Sequence, residues 1–119
     1  MIWARIGALF MFLGILLGAF GAHFLKSRLE TLGYMDAYKT AVLYQLVHGL
    51  GLFIVAWLLS FSTNDRLRLA GLFFVLGILL FSGSLYLLSI TGTRLFGAIT
   101  PLGGLCFMAG WLLVFWSIA

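Results

Sequence analysis

Four long apolar runs separated by short polar breaks dominate the chain. About 20 residues of helix cross a bilayer core, so the runs predict membrane spans over residues 6–25, 37–61, 67–89 and 101–118. The only long polar break holds Lys26, Arg28, Glu30 and Asp36. Within it Ser27-x-x-Glu30 has the spacing of a capping box, and Leu25, Leu29 and Leu32 share a helical face. A short helix lying at the interface is therefore expected before Gly33 ends it. Asp36 is placed to cap the second span, and Thr100-Pro101 reads as the N-cap and first position of the last. Ser62 to Asp65 form a tight connection, Arg66 and Arg68 can snorkel to headgroups, and Ile90 to Ala98 make a turn. The expected fold class is an all-α integral membrane protein of four transmembrane helices with short loops, one domain over residues 1–119. Arg5 with Ala19 and Gly21 would also suit a cleaved signal peptide, but the first run is expected to be retained as a span.

Composition agrees with the pattern. Of 119 residues, 64% are hydrophobic and 8% charged, and the mean hydropathy is +1.20, which excludes an ordinary soluble fold. The net charge of +4 comes from Lys and Arg scattered singly at the ends of apolar runs. That distribution suits a lipid bilayer as partner and excludes a nucleic-acid groove. Arg5, Arg66 and Arg68 flank the end that carries both termini, and Lys26, Arg28, Lys39 and Arg94 flank the other. So even a division sets no orientation and would also suit insertion both ways. Cys106, the single cysteine, lies in the last apolar run and reads as a packing residue.

Two polar rows change the picture. On the second span Thr40, Tyr44, His48 and Gly51 fall within about 80° of one another, with Gln45 about 60° beyond His48. Gly71, Val75, Ser82, Tyr86 and Ser89 share a face of the third span, with Ser84 close by. Polar groups in hydrocarbon need partners, so the rows are expected to face each other. The candidate intramembrane network is Tyr44, Gln45, His48, Ser82, Ser84 and Tyr86. Small residues at Gly7, Gly14, Gly18 and Gly21, and at Gly103 and Gly110, make faces for close helix approach and leave a homo-oligomer open.

His48 carries the chemical interest, because an ionisable group deep in a span is a functional candidate until it is explained. A neutral imidazole donates on one nitrogen and accepts on the other, as a proton relay or an interhelical bridge would require. His23 is the second histidine, a candidate interfacial residue near the end of the first span. Its depth differs from that of His48 by about 10–15 Å at 1.5 Å per residue, so no metal or haem pair is expected, and no cofactor. All three acids, Glu30, Asp36 and Asp65, fall in connections, which removes the buried carboxylate that proton-coupled export usually needs. Nucleophile-elbow, zincin and phosphate-loop motifs are absent.

The segment GAFGAHFL (18–25), YQLVH (44–48), FSGSLYLLSITG (81–92) and GAITPLGGLCFMAGW (97–111) together resemble the YgdD-like proteins, the family of the domain of unknown function 423. The resemblance covers nearly the whole chain in order. It implies a four-span protein of the bacterial inner-membrane type, with relatives in eukaryotes, and it implies no reaction, substrate or cofactor. The expected function is that of a small noncatalytic membrane protein with a structural, accessory or interaction role. The alternative is a small transporter or lipid- or ligand-handling protein using the row around His48.

Overall fold

In the computed structural model, which describes residues 1–118, the helices are α1 (Ile2–His23), α2 (Lys26–Leu32), α3 (Met35–Leu59), α4 (Asp65–Gly77), α5 (Gly83–Thr91) and α6 (Thr100–Ile118). A π-helical turn, Ile78–Ser82, joins α4 to α5 into one long helix, and a 3₁₀ turn, Arg94–Ala98, leads into α6. Four of these segments, Ile2–His23, Met35–Leu59, Asp65–Thr91 and Arg94–Ile118, are long and apolar enough to cross a membrane. The protein is an all-α membrane protein, and its molecule is 49 Å in its longest dimension. Lipid-facing positions such as Phe12, Ile15, Leu50, Leu79, Leu105 and Phe115 are exposed large hydrophobics. An apolar outside of this kind is stable only against hydrocarbon.

The bundle is two helical hairpins. α1 lies along α3, α4 lies along α6, and α3 runs through the middle against α4, the π turn and α5. Close approach explains the glycines. A Cβ added at Gly21 would fall 2.2 Å from the Tyr38 ring, and one at Gly7 would fall 2.8 Å from the Gly49 carbonyl oxygen. On α6, a Cβ at Gly103 would fall 2.3 Å from the backbone nitrogen of Phe81, and one at Gly110 would fall 2.5 Å from the Phe74 ring. At these four positions the close neighbours lie within the chain itself. The core at the seam between hairpins consists of Leu52, Val55, Ala70, Phe74, Ile78, Phe107 and Val114. Because lipid is as apolar as these side chains, close packing and hydrogen bonds hold the helices together more than any expulsion of water.

Several local expectations are corrected. The short helix α2 exists, but its N-cap is Leu25 and no side chain caps it. Ser27 lies inside that helix, where its carbonyl accepts from the Thr31 hydroxyl at 2.7 Å, so no capping box forms. Gly33, at φ 78°, closes α2 in the left-handed region that disfavours other residues. Asp36 lies in the first turn of α3, whose N-cap is Tyr34. Thr100 is already helical, and its hydroxyl is used laterally, against Ser84. Asn64 is the side chain that does cap a span, accepting from the Arg66 N–H at 2.9 Å.

The π turn corrects the face of the third span. On an unbroken α-helix Ser82, Tyr86 and Ser89 would stand about 60–120° away from Phe74. The extra residue in the wide turn takes up about 100° and brings them round to its side. Phe74 and Ile78 are accordingly buried, whereas Val75, expected on the polar face, is only half-buried.

Candidate functional site

The site is built outward from α3, whose buried residues include Tyr38, Gln45, His48 and Gly51. His48 Nε2 accepts a hydrogen bond from the Trp111 indole N–H at 2.9 Å. Its Nδ1 lies 2.8 Å from the Tyr44 carbonyl oxygen. An indole nitrogen only donates and a carbonyl only accepts, so the pair of contacts assigns the proton to Nδ1 and leaves Nε2 bare. Both nitrogens of a neutral ring are thereby used. The imidazole stacks on Phe107, with centroids 3.6 Å apart and planes at 11°, and meets Phe74 edge-on at 5.4 Å. Phe107 fits there because Gly77 opposite it has no Cβ, an added one falling 2.3 Å from the ring.

A second cluster ties three helices together. The Gln45 amide nitrogen donates to the Phe10 carbonyl on α1 at 2.8 Å, and its oxygen accepts from the Tyr86 hydroxyl on α5 at 2.7 Å. Tyr86 meets Tyr38 edge-on at 5.3 Å, and the Tyr38 hydroxyl donates to the Leu17 carbonyl on α1. Ser82 donates to the Ala41 carbonyl at 2.8 Å, joining the π turn to α3. Ser84 lies 2.9 Å from the Phe81 carbonyl oxygen and 2.7 Å from the Thr100 hydroxyl, joining α5 to α6. Among the described residues no buried side-chain nitrogen or oxygen lacks a hydrogen-bond partner.

The two rows therefore meet in part. Gln45 contacts Tyr86, and Ser82 contacts the backbone of α3, but His48 contacts none of Gln45, Ser82, Ser84 or Tyr86 among its hydrogen-bond partners. Its partner comes from α6. Tyr44 gives His48 its carbonyl as the hydrogen-bond partner, while its ring lies between those of His48, at 6.1 Å, and Phe81, at 4.6 Å, and remains partly exposed on the outer surface. His23 is exposed at the last position of α1 and takes no part in either cluster.

Trp111 belongs to neither of the polar rows that the sequence singles out. A depth comparison finds it: His48 is about 20 Å along α3 from Met35, and Trp111 about 17 Å along α6 from Thr100, at 1.5 Å per residue from the same end of the bundle. Among the described residues no three of His, Cys, Asp and Glu lie close enough to share a metal. Neither serine meets a histidine or a carboxylate; their hydroxyls meet backbone carbonyls and Thr100. What the arrangement does chemically is to join helices in a medium without water.

Four apolar spans held together by a buried, fully partnered polar seam define a small helical integral membrane protein. The chain belongs to the family described as protein of unknown function (DUF423), whose model matches residues 17–104. It is 47% identical over 109 residues to the UPF0382 membrane protein SH2409 of Staphylococcus haemolyticus, covering 92% of this chain and 88% of that one. It is 44% identical over 110 residues to the UPF0382 membrane protein YwdK of Bacillus subtilis, covering 92% and 89%. No solved structure matches the chain.

Proposed function

We propose that the protein is a noncatalytic component of the cell's plasma or inner membrane, a preformed bundle whose role is structural, accessory or one of interaction. The observation that carries this reading is that both ring nitrogens of His48 are already hydrogen-bonded within the bundle. With Nδ1 turned to the Tyr44 carbonyl and Nε2 receiving the Trp111 N–H, the ring has no free position for a substrate or a relayed proton. Ser82 and Ser84 have no base to activate them, which argues against hydrolytic chemistry at this buried hydroxyl pair. Helical spans favour the plasma or inner membrane over an outer membrane, whose proteins are closed barrels. Its charges lie at both ends of the bundle and form no stripe for nucleic acid.

The test is made on the full chain in sealed vesicles under an imposed pH gradient. Protein-containing and empty vesicles are expected to lose the gradient at the same rate. A faster decay that His48→Leu abolishes, without a loss of folded protein, would return the site to proton handling and overturn the reading.

A further inference from the structure

Away from the His48 cluster, a groove of about 380 Å³ opens where α1 ends, α2 crosses and α3 begins, between Gly18 and Ala22 on α1, Lys26 and Glu30 on α2, and Lys39 and Val42 on α3. Its volume lies at the lower end of the roughly 300–1,000 Å³ usual for small-molecule sites. The groove has a polarity. Lys26, Glu30 and Lys39 stand at its mouth, and Gly18 and Val42 lie deeper, one to two turns along α1 and α3. Tyr38 gives the groove its ring only, because the hydroxyl is turned to the Leu17 carbonyl. The small residues on α1 leave the space that larger side chains would close.

The three charges at the mouth are free. Among the described residues the one ion pair is Arg68 with Asp65, at the opposite end of the bundle. Lys26, Lys39 and Glu30 are exposed and carry no side-chain hydrogen bond, whereas neighbouring Arg28 is committed to the Ile90 carbonyl at 2.6 Å. Two cations and one carboxylate leave the mouth with one positive charge, which matches a ligand bearing one negative charge. A phosphate at headgroup level with an apolar body reaching inward is the chemistry of a phospholipid, and basic sites between spans recognise such headgroups.

We propose that this groove binds a monoanionic phospholipid of the phosphatidylglycerol class. Lys26 and Lys39 hold the phosphate, Glu30 accepts hydrogen bonds from the headgroup hydroxyls, and the upper acyl segment lies against Ala22, Met35 and Val42. The site is separate from the polar seam and stands whether or not the noncatalytic reading of His48 holds.

The experiment uses purified, delipidated full chain in neutral detergent, titrated with dioleoyl-phosphatidylglycerol, dioleoyl-phosphatidylethanolamine or dioleoyl-phosphatidylcholine and read by native mass spectrometry. Phosphatidylglycerol is expected to bind roughly thirtyfold more tightly than phosphatidylcholine, the scale of two lysines at a lipid surface. Lys26→Gln with Lys39→Gln should erase that preference, while Arg66→Gln with Arg68→Gln, the same loss of charge at the other end, should keep it. Ala22→Phe leaves every charge in place and fills the groove, and it should also abolish tight binding. Equal binding of phosphatidylglycerol and phosphatidylcholine, equal losses in the two double variants, or phosphatidylethanolamine ahead of phosphatidylglycerol would each overturn the proposal.

Discussion

Trp111 donates its indole N–H to Nε2 of His48 at 2.9 Å, joining the last helix to the middle of the bundle. The same bond selects the tautomer of the imidazole. Nitrogen-15 NMR of the protein in lipid should therefore show His48 protonated at Nδ1 and bare at Nε2. Finding the proton on Nε2 would remove the Trp111 bond from the account.

Trp111→Phe keeps a ring and deletes the donor, leaving Nε2 buried without a partner. A loss of about 1–2 kcal/mol in unfolding free energy is expected, the upper range for hydrogen bonds between membrane helices. Combined with His48→Ala, the two losses should couple by at least about 0.5 kcal/mol. Simple additivity in denaturant titrations would mean that the two residues act separately.

Gly103 and Gly104 are neighbours with opposite demands. A Cβ at Gly103 would fall 2.3 Å from the Phe81 nitrogen and 2.6 Å from its Cα, whereas one at Gly104 would find nothing nearer than the Phe81 ring at 3.9 Å. Backbone cannot move aside as a side chain can. Gly103→Ala should cost on the order of 1–3 kcal/mol as an overpacked contact. Gly104→Ala should be neutral or stabilising by up to about 1 kcal/mol, because alanine suits a helix better. Thermal unfolding of the two single variants decides the matter, and equal melting temperatures would contradict the close approach.

Gln45 and Tyr86 should behave as a unit. Tyr86→Phe leaves the buried Gln45 oxygen without its donor, and Gln45→Leu leaves the Tyr86 hydroxyl without its acceptor. Each single change should cost about 1–3 kcal/mol. The double variant should lose clearly less than the sum, since replacing both partners by apolar groups leaves no stranded polar atom at their contact. A full sum would show that the contact contributes nothing of its own.

How much of this was legible in the sequence depended on which medium imposed the constraint. Hydrocarbon demands long apolar helices and pairs every polar group, so the four runs, Gln45, His48, Ser82 and Tyr86 stand out by type and depth. The glycine spacing on α1 likewise announces a tight helix contact. The partner of His48 was not legible from faces alone, because it needs the depths of α3 and α6 compared across more than 60 residues of chain. Least legible was the π turn. No residue type between Ile78 and Ser82 demands it; it accompanies the fit of the Phe81 backbone against Gly103, a tertiary contact with no local signature. Helix ends were misread for a related reason. Ser27, Asp36 and Thr100 are good caps by chemistry, but Ser27 and Asp36 fall inside the first turns of their helices and the Thr100 hydroxyl is used against Ser84.

Arg28 tests a different part of the molecule. Its Nε donates to the Ile90 carbonyl at 2.6 Å, fastening α2 to the end of α5. Arg28→Ala should raise amide hydrogen exchange across residues 26–32 severalfold and leave exchange in α3 unchanged, because the bond is peripheral to the core. Unchanged exchange in α2 would show that Leu29 alone holds it.

The two-hairpin architecture carries a meaning for order in time. α1 and α3 are made first, and both Gln45 to Phe10 and Tyr38 to Leu17 can close between them before the rest of the chain exists. The face of this first hairpin that will meet the second, however, leaves the synthetic machinery incomplete. Of the polar groups at the seam, His48 waits for a donor that lies 63 residues further along. Its second nitrogen is satisfied only when the fourth span has arrived and docked, so that one bond is a record of completed assembly.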